Sequence, residues 1–325
     1  MIVAPARLRA GPLLVAGAGL AGVALLAVLV GPVRLDPGAV LAELAGRLPL
    51  VDTHSGLSAQ EVAILWQLRL PRVVLGGLVG AMLALAGAAY QGVFRNPLAD
   101  PYLLGAAAGA GLGATLAIAY GPDTLLPVAA FAGAVAGVVA AYALGRSGGA
   151  RTATTLILSG VAVAAFLTAI QTYLQQRKAE TLREVYGWIL GRLTTAGWRE
   201  VALVVPYALL STAAILLHGR LLDVLAVGDD EAASLGVRAA RVRLVVVAAA
   251  TLATAAAVAV SGLIGFVGII VPHTIRLLAG SSHRLLAPLS LVAGAAFLIL
   301  ADLAARTVMA PAELPIGVVT AIVGA

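Results

Sequence analysis

The stretch RLLDVLAVGDDEAASLGVRAARVR, residues 220–243, decides the fold class because it is a polar island between two strongly apolar runs. It carries eight charged residues in twenty-four, whereas residues 201–217 before it and residues 244–275 after it carry no formal charge. Polar backbone and charged groups cannot be left unsatisfied in hydrocarbon, so this stretch must lie in water. Its neighbours are apolar enough to cross a bilayer, and the chain is predicted to be an all-α integral membrane protein.

The middle of this stretch has the signals of a short capped helix. Gly228 or Asp229 can serve as the N-cap, and Asp230 and Glu231 follow in the first turn, where the helix dipole favours anions. Gly236 suits the C-terminal end. A small rigid helix on the face of a membrane protein could dock a soluble partner. An ordinary solvated loop explains the same residues equally well, and both interpretations stay open here.

The composition excludes several classes of protein. The 325 residues are 61% hydrophobic, and only 11% are charged, against roughly 25% in soluble domains. Without cysteine there can be no disulfide, thiolate metal site or cysteine nucleophile. The only lysine is Lys178, so the chain lacks the Gly-Lys-Ser/Thr of a P-loop, and any nucleotide energy must come from another chain. The net charge of +6 indicates contact with anionic lipid rather than nucleic acid.

The apolar runs predict ten membrane crossings. The run 244–275 is too long for one crossing, and its glycines and proline lead us to divide it near 261–265. The run 11–33 is longer than the core of a signal peptide and is interpreted as a retained first helix. The uncharged runs are 11–33, 73–94, 101–122, 124–145, 152–176, 201–217, 244–275, 285–301 and 314–325.

These crossings form one transmembrane domain over residues 1–325. The last run is only twelve residues, about 18 Å of helix against a core of about 30 Å, so we expect the final helix to be truncated. Inner and outer loops hold eleven and ten Lys+Arg residues, which does not decide the orientation. The outer charges concentrate in residues 34–72 and 177–199, which could form a basic face for an acidic partner. We expect a short helix after Pro37 and another within residues 180–190.

A weak similarity between two parts of the sequence predicts an inverted-repeat-like arrangement. Gly87 is followed ten residues later by Pro97, and Gly262 is followed ten residues later by Pro272. With ten crossings, the two helices concerned run in opposite directions, as an inverted repeat requires. Glycine and alanine are so common in this chain that coincidence is a competing explanation.

Charged residues near the membrane boundary allow two interpretations. Arg69 and Arg72 flank a proline at the start of the second crossing, where they can be snorkelling anchors or forks that capture carboxylates of a docking protein. Asp302 and Arg306 are four residues apart and can pair on one helix face. Asp302 and Glu313 are the only carboxylates near membrane depth, which gives weak support to a proton-coupled carrier.

Two polar segments are candidates for a pathway. The connector RNPLADP, residues 95–101, is stiffened by two prolines and is either a tight turn or part of a gate. Gln171, Thr172 and Gln175 either line the mouth of a pore or form an interfacial helix end. No metal site is predicted, because the four histidines are far apart: His54, His218, His273 and His283.

Taken together, six segments resemble the FecCD-type permease family of ABC importers over nearly the whole chain. The segments are LRLPR (68–72), GAAYQGVFRNPLADPYLLG (87–105), GDDEAASLGV (228–237), SGLIGFVGIIVPHTIRLLAG (261–280), ADLAAR (301–306) and AELPIGVVTAIVGA (312–325). The resemblance implies a type II importer permease of about ten helices, working as a homodimer in the cytoplasmic membrane. It also implies two ATPase subunits inside, which would bind ATP and magnesium, and a substrate-binding protein outside. The chain itself would be neither an enzyme nor a cofactor carrier.

The resemblance also assigns roles to residues. Residues 220–243 become the cytoplasmic coupling loop, with ATPase-coupling positions Asp229, Asp230, Glu231, Ala232, Ser234, Leu235 and Gly236. Docking to acidic residues of the binding protein is implied for Arg69, Arg72 and Arg306. The cytoplasmic gate is implied for Asn96, Leu98, Thr152 and Thr154. Ala153 departs from members that carry a hydroxyl there, which makes that part of the gate less well matched.

The expected cargo is a metal chelate, in the first place an iron(III)-siderophore, with haem and cobalamin as alternatives within the family. A proton-coupled secondary transporter is the alternative from another class. Dependence of uptake on a separate ATPase chain distinguishes the two.

Overall fold

The computed structural model describes residues 10–47, 49, 54–147, 153–194 and 196–325, and within them the regular structure is helical with no strand. A π-helical turn, Ile64–Arg69, joins α3 to α4 into one continuous helix, Ala59–Phe94. The α-helices are α1 (Ala10–Leu29), α2 (Pro37–Ala45), α3 (Ala59–Ala63), α4 (Leu70–Phe94), α5 (Ala106–Tyr120), α6 (Leu126–Ser147), α7 (Ala153–Arg177), α8 (Leu182–Ile189), α9 (Trp198–Leu217), α10 (Gly219–Val227), α11 (Asp229–Ser234), α12 (Ala239–Ser261), α13 (Val267–Ala279), α14 (His283–Thr307) and α15 (Ile316–Gly324).

Each of the ten predicted crossings coincides with a helix. Seven helices of the described residues are long and apolar enough to span a bilayer: α1, Ala59–Phe94, α6, α7, α9, α12 and α14. The other three are shorter, with α5 at 15 residues, α13 at 13 and α15 at 9. The short helices expected after Pro37 and within residues 180–190 are α2 and α8. The predicted all-α membrane fold is confirmed.

Helix α4 is the centre of the bundle. In the most apolar part of the continuous helix Ala59–Phe94, 83% of the residues are buried, against 11% in the corresponding part of α1. Helix α4 packs against α9, α12, α13 and α14. Small residues let these backbones approach closely. A Cβ added at Gly87 of α4 would lie 1.9 Å from the carbonyl oxygen of Gly268 in α13, so only glycine fits there.

The long apolar run is interrupted where the sequence predicts. Helix α12 ends at Ser261, and Gly262 continues with a φ of +70°, in the region that favours glycine. Backbone groups freed by such a break must find partners inside the protein. The carbonyl of Ser261 accepts a hydrogen bond from the Arg192 amide at 2.8 Å, and that of Ile264 accepts one from the Tyr102 hydroxyl at 3.0 Å. The break is therefore a packed junction inside the protein.

Helices α4 and α12 run antiparallel. Arg95, at the end of α4, and Arg243, in the first turns of α12, both contact Asp229, so these two helix ends lie together. This is the orientation that an inverted repeat needs. The local structures differ, however, because Pro97 follows the end of α4 whereas Pro272 lies inside α13. The equivalence of the two halves stays a prediction.

Candidate functional site

The polar hairpin, residues 220–243, forms two short helices, α10 and α11, at the end of the bundle where α4 ends. Gly228 is the N-cap of α11 with a φ of +149°, and Gly236 follows the last turn with a φ of +76°. Both caps are therefore where the sequence predicts them. Asp230, Glu231 and Leu235 are exposed on the outer side of α11. These residues give the hairpin an acidic and partly apolar face that a soluble partner can reach.

Asp229 turns back towards the bundle. Its carboxylate accepts hydrogen bonds from Arg243 at 2.5 and 2.9 Å and from Arg95 at 3.0 Å. The hydrogen bonds and charge of Arg243, with the charge of Arg95, lower the pKa of Asp229 despite partial burial. Asp229 thereby joins α11 to α4 and α12. Ala232 is fully buried on the inner side of α11, and its role in ATPase coupling stays a prediction.

A second joint holds α10 and was missed by the sequence reasoning. Asp223 accepts hydrogen bonds from the Ser282 hydroxyl at 2.7 Å and from the His283 amide at 2.5 Å, and its carboxylate lies 3.0 Å from His283 Nδ1. Burial alone would raise the pKa of Asp223, but the hydrogen bonds from His283 and Ser282 outweigh it and lower the pKa. The buried His283 ring reaches α4, since a Cβ added at Gly92 would lie 2.5 Å from its Nε2. The only local signal for this joint in the sequence is Ser-Ser-His at 281–283, which precedes an apolar run and marks the start of α14.

At the opposite end of the bundle, Arg72 is the centre of an ion-pair network. Its guanidinium donates to Asp302 at 2.8 and 2.9 Å and to both carboxylate oxygens of Glu313 at 2.9 Å. The expected pair of Asp302 and Arg306 is present at 3.5 Å. The network links α4 to α14 and to the segment before α15. Neither carboxylate is therefore a free buried acid.

Arg69 and Arg306 hold the end of α1. Arg69 donates to the carbonyls of Val28 and Leu29 at 2.9 and 3.2 Å and also to that of Val33. Arg306 donates to the carbonyl of Ala27. The carbonyls of Ala27, Val28 and Leu29 lie at the C-terminal end of α1, where an α-helix leaves acceptors unsatisfied.

The three arginines implied for docking are largely buried within the subunit, and their role in docking stays a prediction. Arg69 is 4% exposed and Arg306 is 2% exposed, while the side chain of Arg72 is 13% exposed. Their guanidinium groups bind carbonyls and carboxylates of the protein, whereas a snorkelling side chain extends its charge into water. Their burial needs long-range partners that local spacing does not indicate: Arg72 and Asp302 are 230 positions apart.

The connector after α4 presents two predicted gate residues at the surface. Asn96 and Leu98 are exposed, and the Asn96 side chain accepts a hydrogen bond from the Leu98 amide at 3.0 Å. Thr154 is exposed at the start of α7, whereas Thr152 lies outside the described residues. The residues between this connector and α5 pack on α7, because a Cβ added at Gly160 would lie 2.2 Å from the Leu103 carbonyl. The structure thus brings the connector and α7 together.

Of the three residues predicted for the pathway mouth, one is exposed and two are buried, and their role in the pathway stays a prediction. Gln171 and Gln175 are buried within the subunit, and the Gln171 amide lies against Gly111 of α5, where an added Cβ would be 2.8 Å from its oxygen. Thr172 alone is exposed, with its hydroxyl donating to the Thr168 carbonyl at 2.9 Å.

A longer exposed stripe on α7 was not predicted. Its members recur every three or four residues along the helix and are small, aliphatic or neutral and polar. They are Thr154, Leu158, Val161, Ala165, Thr168, Thr172 and Gln176. The spacing was visible in the sequence, but the sequence does not show which face of this apolar helix is exposed.

The family model of the FecCD transport family matches residues 19–325 of this chain. The chain belongs to the FecCD transport family. It is 41% identical over 272 residues to the cobalamin import system permease protein BtuC of Halobacterium salinarum, with 83% of this chain and 73% of the relative covered. It is 38% identical over 282 residues to the Fe(3+) dicitrate transport system permease protein FecD of Escherichia coli, with coverages of 86% and 87%.

A solved structure has the same architecture. This FecCD chain superposes with a TM-score of 0.84 on an ABC transporter of metal-chelate type in an inward-facing conformation. The two are 30% identical, and the match covers 97% of this chain and 96% of that one. The FecCD protein is therefore a permease subunit of an ABC importer and a multi-pass protein of the cytoplasmic membrane. Subunits of this family are not themselves enzymes.

Proposed function

We propose that this FecCD permease imports a metal chelate, in the first place an iron(III)-siderophore. It would act as a homodimer with two ATPase subunits at the hairpin and a substrate-binding protein at the opposite face. The relatives named for cobalamin and ferric citrate support the class of cargo, with cobalamin and haem as alternatives. ATP and magnesium would be bound by the ATPase chains.

The α7 stripe carries the proposal. From Thr154 to Gln176 it extends over 22 residue steps, about 33 Å, which is close to the thickness of the hydrocarbon core. Three threonines and a glutamine on an exposed face are unusual for a surface in contact with lipid. Two copies of the stripe would form a passage lined by neutral groups. Such a passage suits a bulky chelate, because it offers no charged ligand that would compete for the metal.

The hairpin supports coupling to a soluble motor. The exposed face of α11, with Asp230, Glu231 and Leu235, is free for an ATPase subunit. Asp229 and Asp223 hold the same hairpin to α4, α12 and α14. A displacement of the hairpin would therefore reach three helices of the bundle, as coupling requires.

For the binding protein, we propose a basic outer face in which Arg72 has a secondary role. Exposed arginines of the outer loops supply the charge: Arg34, Arg47, Arg183 and Arg199. Arg72 could join them only by exchanging Glu313 for a partner carboxylate. Arg69 and Arg306 would contribute indirectly, because they bind carbonyls at the end of α1 and so fix its position.

The network around Arg72 counts against the secondary transporter. Asp302 is held by Arg72 and Arg306, and Glu313 is held by Arg72. A proton path needs a carboxylate that can exchange its proton, and both candidates are ion-paired instead.

The test uses the absence of native cysteine, which makes every introduced thiol unique. In the dimeric complex with its ATPase, we expect Thr168→Cys and Thr172→Cys to cross-link between copies and to react with a membrane-impermeant thiol reagent. Leu209→Cys on α9, 67% exposed, is the control and should do neither. Uptake of radiolabelled ferric siderophore, haem and cobalamin by the reconstituted complex then identifies the cargo. Absence of cross-links at the stripe, or equal cross-linking at Leu209→Cys, would refute the passage.

A further inference from the structure

A groove between α6 and α12 has no part in the proposed transport path. It has a volume of about 530 Å³, and its walls are mainly aliphatic. Val139 and Ala143 of α6 and Ala248 of α12 are exposed along it, so it opens sideways from the bundle. An open apolar groove on the side of a membrane protein faces acyl chains.

One end of this groove is basic. It continues, through Tyr142, Arg146 and Leu244, into a smaller cavity of about 250 Å³ that Arg241 and Arg243 also line. Arg146 and Arg241 are exposed, and the Arg146 guanidinium lies 5.9 Å from the centre of the Tyr142 ring. Among the described residues that line the two cavities, none is acidic.

The length of the groove matches one leaflet. From Val135 to Arg146 there are eleven residue steps on α6, about 16 Å, and half of the hydrocarbon core is about 15 Å. The basic end lies where α6 ends and α12 begins, on the side of the polar hairpin. The arginines therefore lie at headgroup depth and the aliphatic walls at acyl-chain depth.

We propose that this groove is a binding site for an anionic phospholipid of the leaflet on the hairpin side. An acyl chain lies between α6 and α12, and the phosphate is bound by Arg146 and Arg241. Basic pockets between transmembrane helices recognise acidic headgroups in this way. Arg243 borders the site and also binds Asp229 of α11, so a bound lipid lies one side chain away from the hairpin. Naming the leaflet as cytoplasmic rests on the proposed role of the hairpin, whereas the site itself does not.

Native mass spectrometry of the intact permease in detergent tests the proposal directly. Phosphatidylglycerol and phosphatidylcholine with identical acyl chains are titrated separately. We expect preferential retention of phosphatidylglycerol, and binding about fivefold weaker for each of Arg146→Gln and Arg241→Gln, with phosphatidylcholine unaffected. Arg220→Gln is the matched control, because Arg220 is exposed on the same side and lines neither cavity.

A second pair of variants tests the apolar part without changing charge. Ala143→Trp and Ala248→Trp fill the groove and should displace phosphatidylglycerol. The midpoint temperature of thermal unfolding should stay that of the parent protein. The proposal is overturned if the arginine variants bind phosphatidylglycerol as the parent does, or if Arg220→Gln loses as much. It is equally overturned if the tryptophan variants keep the lipid but dissociate a protein partner, since the groove would then be a protein interface. Transport measurements do not enter this test, so its failure is separate from that of the proposed function.

Discussion

The substitution Asp229→Asn separates the structural joint of the hairpin from its docking face. It keeps the size of the side chain but removes the charge that holds Arg243 and Arg95. Hydrogen bonds to charged groups contribute about 1.5–3 kcal/mol, and an exposed pair such as that with Arg95 contributes about 0.2–1 kcal/mol. Because 44% of the Asp229 side chain is exposed, we expect a loss near the lower end, about 1–2 kcal/mol in the free energy of unfolding.

Asp230→Asn is the matched control, because Asp230 is the next residue and is exposed on the outer side of α11. Thermal unfolding should distinguish the two variants, with Asp230→Asn within about 0.5 kcal/mol of the parent. In the reconstituted complex, Asp229→Asn should retain the ATPase subunits but lose substrate-stimulated hydrolysis, whereas Asp230→Asn should weaken their binding. Equal stability of the two variants, or full stimulation in Asp229→Asn, would refute the assignment of Asp229 as a joint.

Three further predictions concern the network, the core and the second joint. Asp302→Asn leaves Arg306 without its carboxylate and Arg72 with Glu313 alone, and should lower stability by about 1.5–3 kcal/mol in thermal unfolding; a loss below about 1 kcal/mol would contradict a buried network. Gly87→Ala should disrupt packing against Gly268, whereas Gly11→Ala, with nothing within 4 Å, should be silent; equal yields of folded protein would argue against the close approach. The lowered pKa of Asp223 means that its contribution to stability is present above pH 3.8 and is lost as the pH falls further. The difference in stability between the parent and Asp223→Asn should therefore shrink as the pH falls below about 4; a difference that grows in that range would contradict a lowered pKa of Asp223.

The helices could be predicted because each depends mainly on its own sequence. A run of apolar residues long enough to cross the bilayer has few alternatives to a helix. The division of the run 244–275 was also local, since glycine at position 262 adopts a φ that other residues avoid. The caps of α11 followed from Gly228 and Gly236 in the same way.

The orientation of side chains could not be predicted, because it depends on distant partners. The sequence around Arg69 favours a surface position, but Arg69 binds carbonyls of α1, about 40 positions away. Gln171 suggests a pore, yet the space for its amide is created by Gly111 on another helix. Asp223 carries no motif, and its partner His283 is 60 positions away. In a bundle where most helices are apolar on all sides, hydrophobic periodicity does not indicate the inward face.

The position of the joints relative to the α7 stripe suggests how movement passes through the permease. Helices α5, α6 and α7 pack on one another, while α4 packs with α9, α12, α13 and α14. The two groups also meet directly, because α6 packs on α12. The hairpin is tied to the second group through Asp229 and Asp223, yet the stripe belongs to the first. The connector after α4 and the residues that follow it also join the groups, since the Tyr102 hydroxyl donates to the Ile264 carbonyl and Leu103 packs against α7. A displacement of the hairpin can therefore reach the stripe by two routes, through this connector and through the packing of α6 on α12.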